Sequence, residues 1–113
     1  MSNETCLFCK IVASEIPASI RYQDNDVIAF DDMHPSAPIH MLIAPKRHIP
    51  GIEAVESGDE QIIGKLTTTA RRLIEENNLG DVYKLIINGP AIRHVDHLHF
   101  HLLSGPNLKG PLP

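Results

Sequence analysis

Basic residues are not in excess in this 113-residue chain: its formal net charge is -4. No cationic face is therefore available to displace counterions from a phosphate backbone, and bulk nucleic-acid binding is not expected. No apolar run approaches the roughly 18 residues that mark a membrane span, so no membrane partner is expected either. The start, Met1-Ser2-Asn3-Glu4-Thr5, lacks the basic and apolar pattern of a targeting segment. Cysteine is scarce: the only two are Cys6 and Cys9, in one Cys-x-x-Cys. That usage suits a reducing cytoplasm better than a disulfide scaffold, and a cytoplasmic location is the expectation. Internal repeats, low-complexity segments and linkers are also missing, so residues 1–113 are expected to form a single domain. With 42% hydrophobic and 21% charged residues, that domain reads as soluble and globular, with a modest core.

Histidine is what the chain has instead, seven in all. In residues 97–103, His97-Leu98-His99-Phe100-His101-Leu102-Leu103, it alternates with large apolar residues. That is the period of a strand, not of a helix. The pattern predicts His97, His99 and His101 on one face, with Leu98, Phe100 and Leu102 in the core. Same-face neighbours would be roughly 7 Å apart, from about 3.3 Å of rise per residue. Such a row suits either a metal, through imidazoles at i and i+2, or catalysis on phosphate, with one imidazole attacking and another donating a hydrogen bond.

Elsewhere the patterning predicts a short helix from Cys6 to Ala13, ended by Ile16-Pro17-Ala18. Strands at 20–23 and 27–30 form a hairpin through Asp24-Asn25-Asp26. A loop with two prolines covers 31–38, and a third strand runs from His40 to Ala44. Ser57 and Glu60 have capping-box spacing, opening a long helix that continues to about Asn78. Its apolar stripe is Ile62, Ile63, Leu66, Ala70, Leu73 and Ile74, and Asn77-Asn78-Leu79-Gly80 supplies the stop. Val82 to Asn88 is a fourth strand, the histidine row a fifth, and Ser104 to Pro113 a Gly/Pro-rich tail. The order predicts an α+β fold: a five-stranded, largely antiparallel sheet with one short N-terminal and one long central helix. The helices are expected on one face and the histidines on the other.

Cys6 and Cys9 form a two-thiolate pincer with the spacing of zinc sites. The same spacing serves redox pairs, but those follow a sheet strand, and none fits before Cys6. Two unliganded cysteines are the remaining alternative. His48, after the third strand, and His97 are the best candidates to complete a tetrahedral set. A closed Cys₂His₂ site is structural, with no position left for water. It would leave His99 and His101 free of metal.

The row His97 to Leu103 resembles the signature of the histidine-triad family, His-φ-His-φ-His-φ-φ. The resemblance extends through Cys6-Leu7-Phe8-Cys9-Lys10-Ile11, Ile16-Pro17-Ala18, Phe30-Asp31-Asp32, Pro35 to Pro38, His40, Ala44-Pro45-Lys46-Arg47-His48-Ile49 and Asn88. Size and order are similar to the small nucleotide-binding branch, whose members hydrolyse nucleoside phosphoramidates or related phosphoesters. Several bacterial relatives carry zinc on a matching quartet. The resemblance implies His99 as nucleophile, through a nucleotidyl-histidine intermediate, with no catalytic metal. It implies His101 as a hydrogen-bond donor to the phosphate, His40 as support for the imidazoles and Asn88 near the scissile phosphate. Asp32 would take the ribose hydroxyls. Leu7, Phe8, Ile11, Ile16, Phe30 and Met33 would form a slot for a purine base, although Ile11 and Phe30 suit ordinary core as well. Family members pair as dimers through the long helix and fourth strand, and a homodimer is expected here.

Between Asn88 and His97 the chain departs from the family pattern. Relatives carry a longer, glycine-containing loop with Gln followed by Ser, Thr or a similar residue. This chain has only Gly89-Pro90-Ala91-Ile92-Arg93-His94-Val95-Asp96. Arg93 would replace the missing phosphate contacts with a charge-assisted one, while His94 and His34 read as loop surface. The reading is therefore a purine nucleotide-binding hydrolase of the phosphoramidase kind. A dinucleoside-polyphosphate hydrolase or nucleotidyl transferase is the nearest alternative. A non-catalytic nucleotide sensor or partner-binding module is the alternative of another class.

Overall fold

The computed structural model describes residues 5–106 and 108. Most of the expected tail lies outside the described residues. Five strands form one antiparallel sheet: β1 Ile20–Gln23, β2 Val27–Asp31, β3 Ile39–Pro45, β4 Tyr83–Ile86 and β5 Phe100–Ser104, in the order β1-β2-β3-β5-β4. The helices are α1 Leu7–Val12 and α2 Glu60–Glu76. The hairpin turn is built on Asp24, whose Oδ1 accepts from the amides of Asp26 and Val27 at 2.8 and 3.0 Å. Among the described residues no helix is long and apolar enough to cross a membrane.

Strand alternation divides the apolar residues between two cores. Val27, Ala29, Met41, Ile43, Leu98, Phe100 and Leu102 point to one side, where Leu66, Ala70 and Leu73 of α2 cover them. Ile28, Phe30, Leu42 and Ala44 point to the other and pack on Phe8, Cys9 and Ile11 of α1. The helices thus sit on opposite faces, and α1 shares the histidine face. This corrects the expectation of both helices opposite the histidines. A one-turn helix with three buried residues is too small to cover a sheet face, so it closes one end of it and leaves the rest open.

Local chemistry explains where elements stop. Both helices end in Schellman motifs, with a residue in the left-handed region just past the end: Ser14 at φ 61 and Asn78 at φ 52. After α2, Leu79 N–H donates to Ile74 O at 3.1 Å and Asn78 N–H to Glu75 O at 3.2 Å. After α1, the equivalent bonds run from Glu15 to Lys10 and Ser14 to Ile11, so the helix closes before Ile16-Pro17. The capping box lies one residue upstream of the expected Ser57–Glu60 pair. Glu56 and Asp59 cap each other around the 3-10 turn Ser57–Asp59, from which α2 starts.

The histidine row enters the sheet late: β5 begins at Phe100, with Ile43 opposite it. Continued outward, the register would bring Leu98 against Pro45, which has no N–H for the ladder. Leu98 N–H instead donates to Ile49 O at 2.6 Å. Alternation survives the break, because Leu98, Phe100 and Leu102 are all buried in the larger core.

Candidate active site

On the α1 side of the sheet lies a cavity of about 690 Å³, within the roughly 300–1,000 Å³ typical of small-molecule sites. His40, His99, His101 and Asn88 line it together with Asp32, and Leu7, Phe8, Ile11, Phe30 and Met33 form an apolar wall. The sheet places the imidazoles: His101 on β5 faces Leu42 on β3, and His40 faces Leu103. The rings lean together, with centroids 4.8 Å apart for His99 and His101 and 5.1 Å for His40 and His101. That is closer than backbone rise alone suggests.

Hydrogen bonds fix where each proton sits. His99 Nδ1–H donates to the carbonyl of His97 at 2.6 Å, which leaves the Nε2 lone pair free. Burial lowers the His99 pKa, against a smaller upward effect of that carbonyl, so the ring is held neutral. Phe8 stands edge-on to it at 4.9 Å between centroids. His40 is set differently. Its Nδ1 accepts from the Ser36 amide at 3.0 Å, so its proton is on Nε2, 2.8 Å from His101 Nδ1. Asp32 Oδ2 lies 3.4 Å from the same nitrogen. His101 then carries its own proton on Nε2, toward the cavity; Asn88 Nδ2, 3.5 Å away, is itself a donor and makes no hydrogen bond to that N–H. Burial, followed by the charges of His99 and His40, pushes His101 down to about 4. The result is a bare nitrogen on His99 beside an N–H on His101: a nucleophile next to a hydrogen-bond donor.

His97 does different work. Its ring is fully buried, and Nε2–H donates to Pro45 O at 2.7 Å, turning Nδ1 toward the cysteines. That nitrogen lies 3.3 Å from Cys6 Sγ, 3.6 Å from Cys9 Sγ and 3.2 Å from His48 Nδ1, with Cys9 Sγ and His48 Nδ1 3.3 Å apart. A tetrahedral ion held at about 2.3 Å by sulfur and about 2.0–2.1 Å by nitrogen spaces its ligands about 3.3–3.8 Å apart. The four residues thus fit such an ion and could hold one. Burial raises the Cys6 thiol pKa, so its sulfur would ligate as thiolate only with a cation beside it.

Two expected residues are placed differently. Ile16 packs against the smaller core and is not among the residues lining the cavity. Arg93 lines the cavity, but its guanidinium is committed elsewhere. Nη1 and Nη2 donate to Glu53 Oε1 and Oε2 at 2.9 and 2.8 Å, and Nε donates to Asp96 Oδ1 at 2.8 Å. The shortened segment is therefore pinned to the turn after β3, and the charge offered to a phosphate is already balanced. His94 and His34, read as loop surface, stand in the cavity lining. Sequence reasoning also missed Ser36, Pro45 and Glu53. The first two act through the main chain, which side-chain identity does not reveal. Glu53 is one carboxylate among many until the fold brings it to Arg93.

A family model described as "Scavenger mRNA decapping enzyme C-term binding" matches residues 5–110. The purine nucleoside phosphoramidase of Escherichia coli is 43% identical over 117 residues, spanning 99% of this chain and 95% of that protein. An uncharacterized HIT-like protein of Synechocystis is 37% identical over 110 residues, 96% of each chain. Among solved structures, a HIT family hydrolase from Clostridium thermocellum superposes with a TM-score of 0.93 at 36% identity, covering 99% of this chain and 100% of that one. A histidine triad protein from Clostridium difficile does so at 0.92 and 31%, with the same coverage.

Proposed function

The chain belongs to the histidine-triad (HIT) family, and from that premise we propose that it is a purine nucleotide-binding hydrolase that cleaves nucleoside 5′-phosphoramidates through a nucleotidyl-histidine intermediate. The observation that carries this reading is the His99 ring, anchored through Nδ1 on the His97 carbonyl with Nε2 open to the cavity. Nε2 attacks the α-phosphorus, the phosphorus–nitrogen bond breaks and the amine leaves with a proton taken from solvent, which the hydrolysis step returns. Water then attacks the nucleotidyl-histidine, releasing nucleoside monophosphate and restoring the free imidazole. His101 Nε2–H steadies charge on the phosphoryl oxygens in both steps, and His40 keeps it in the donor form. Asp32 takes the ribose hydroxyls, and Phe8, Ile11, Phe30 and Met33 hold the base. The purine specificity rests on the Escherichia coli relative, which is a purine nucleoside phosphoramidase.

Cys6, Cys9, His48 and His97 hold zinc in this reading. When bound, the ion supplies structure and no chemistry, because all four positions are filled by protein. A homodimer completes the proposal. Tyr83 and Leu85 of the edge strand β4, with Ile87 just beyond it, alternate and leave an apolar strip exposed, the kind of surface a second copy covers.

The test is direct. Mixed with a guanosine or adenosine phosphoramidate and quenched early, the protein should gain the mass of one nucleotidyl group on His99, and lose it with time. His99→Asn should bind the monophosphate but form no adduct. Nucleotide bound by the wild type without any adduct would leave a sensor rather than an enzyme.

A further inference from the structure

Among the described residues Arg93 is the one lysine or arginine lining the cavity, yet its side chain is only 5% exposed. Three of its five N–H donors are engaged, two of them in a fork on Glu53 and one on Asp96. Bidentate carboxylate pairs of this kind are among the stronger side-chain hydrogen bonds, and they hold the guanidinium on Glu53 with only two N–H groups left over. The partners come from different parts of the chain. Glu53 lies on the short 3-10 turn Ile52–Ala54, and Asp96 three residues beyond Arg93 itself. Gly51 completes the seat: a Cβ there would collide with Arg93 Nη1 and stand 2.6 and 2.7 Å from the Glu53 carboxylate oxygens. Ile92, His94 and Val95, on either side of Arg93, all line the cavity, as does Asn88 at the segment's start.

We propose that Arg93 is a positioning residue: latched to Glu53 and Asp96 over Gly51, it holds segment 88–96 as the cavity wall next to the phosphorus-attack site, and it makes no contact with phosphate. The inference rests on the hydrolase reading above for its kinetic arm, but not for its binding arm.

Arg93→Ala, Glu53→Ala, their double variant and Gly51→Ala would be compared with the wild type. The readouts are kcat and KM for a nucleoside phosphoramidate, Kd for the matching monophosphate, and amide hydrogen exchange over 88–96. A latch predicts that Arg93→Ala and Glu53→Ala each lower kcat by about tenfold to a hundredfold, the cost of a small misplacement. Kd should stay within about threefold, the double variant should be no worse than either single one, and exchange should quicken in all three. Gly51→Ala, which changes no charge, should move kcat and exchange in the same direction. Two outcomes would overturn the proposal: monophosphate binding about tenfold weaker in Arg93→Ala but unchanged or tighter in Glu53→Ala, which makes the guanidinium a phosphate ligand, or exchange unchanged in the single variants. Were the wild type to turn over no phosphoramidate, the hydrolase reading would fail, and Kd and exchange would still decide the latch.

Discussion

His99 and His101 stand two residues apart on one side of the sheet and are set to opposite tautomers. A carbonyl behind His99 takes its Nδ1 proton, and a neighbouring imidazole forces the proton of His101 onto Nε2. The alternating row made both residues legible as candidates, and residue type and spacing also singled out the four side chains that could hold a metal. The tautomers were not legible. They follow from the His97 carbonyl and the Ser36 amide, which every residue possesses and only the fold can aim. Neutral rings of this kind leave a thermodynamic trace. His101 is held at about 4, against 6.5 for a free imidazole, so on acidification the unfolded chain takes up its proton first. Its contribution to stability is complete above pH 6.5, falls as pH drops through the interval, and is gone below about 4. Thermal unfolding followed from pH 7.5 to 5 should show a falling midpoint, with a smaller fall for His101→Gln. Equal slopes for the two proteins would contradict this placement of the proton.

At the scale of elements, period-two alternation revealed the histidine strand, short runs bounded by turn and breaker residues revealed the other four, and the apolar stripe of α2 revealed the long helix. Boundaries moved where a single competing interaction prevailed. Pro45 delayed β5, Glu56 moved the capping box onto the 3-10 turn that leads into α2, and a left-handed Ser14 closed α1 before the proline. The side on which α1 packs could not be read from its sequence, since a six-residue helix with one apolar side fits either face of a sheet. Its placement gives Phe8 two tasks. The ring is buried, 5.3 Å from Phe30 and 4.9 Å from His99 between centroids. Phe8→Ala should cost about 3–5 kcal/mol of unfolding free energy by denaturant titration. It should also weaken monophosphate binding by more than the same truncation at a buried residue under α2, such as Leu73. Equal effects on binding would reduce Phe8 to ordinary core.

For the whole molecule, the antiparallel order β1-β2-β3-β5-β4 leaves one apolar edge strand without a neighbour. Sedimentation should find a dimer, and Leu85→Glu should shift it to a monomer at micromolar concentration. A wild-type monomer would mean that something else covers this strip. Metal analysis of protein purified without added zinc should find about one equivalent per chain, as four closed ligands imply. A strong chelator should then lower the unfolding midpoint by several degrees. Binding sub-stoichiometric in metal, with Cys6 and Cys9 freely alkylated, would refute the quartet. The architecture and the donor set were open to sequence reasoning because each is written in side chains. The latch at Arg93 was not, since two of its three carboxylate bonds depend on a turn forty residues away.

One residue faces both ways. The ring of His97 belongs to the sulfur and nitrogen cluster, while its carbonyl grips the imidazole proposed to attack phosphorus. Stripping the ion should therefore blunt catalysis at temperatures where the sheet is still intact: the aim of the attacking nitrogen drifts first, and the scaffold gives way only later.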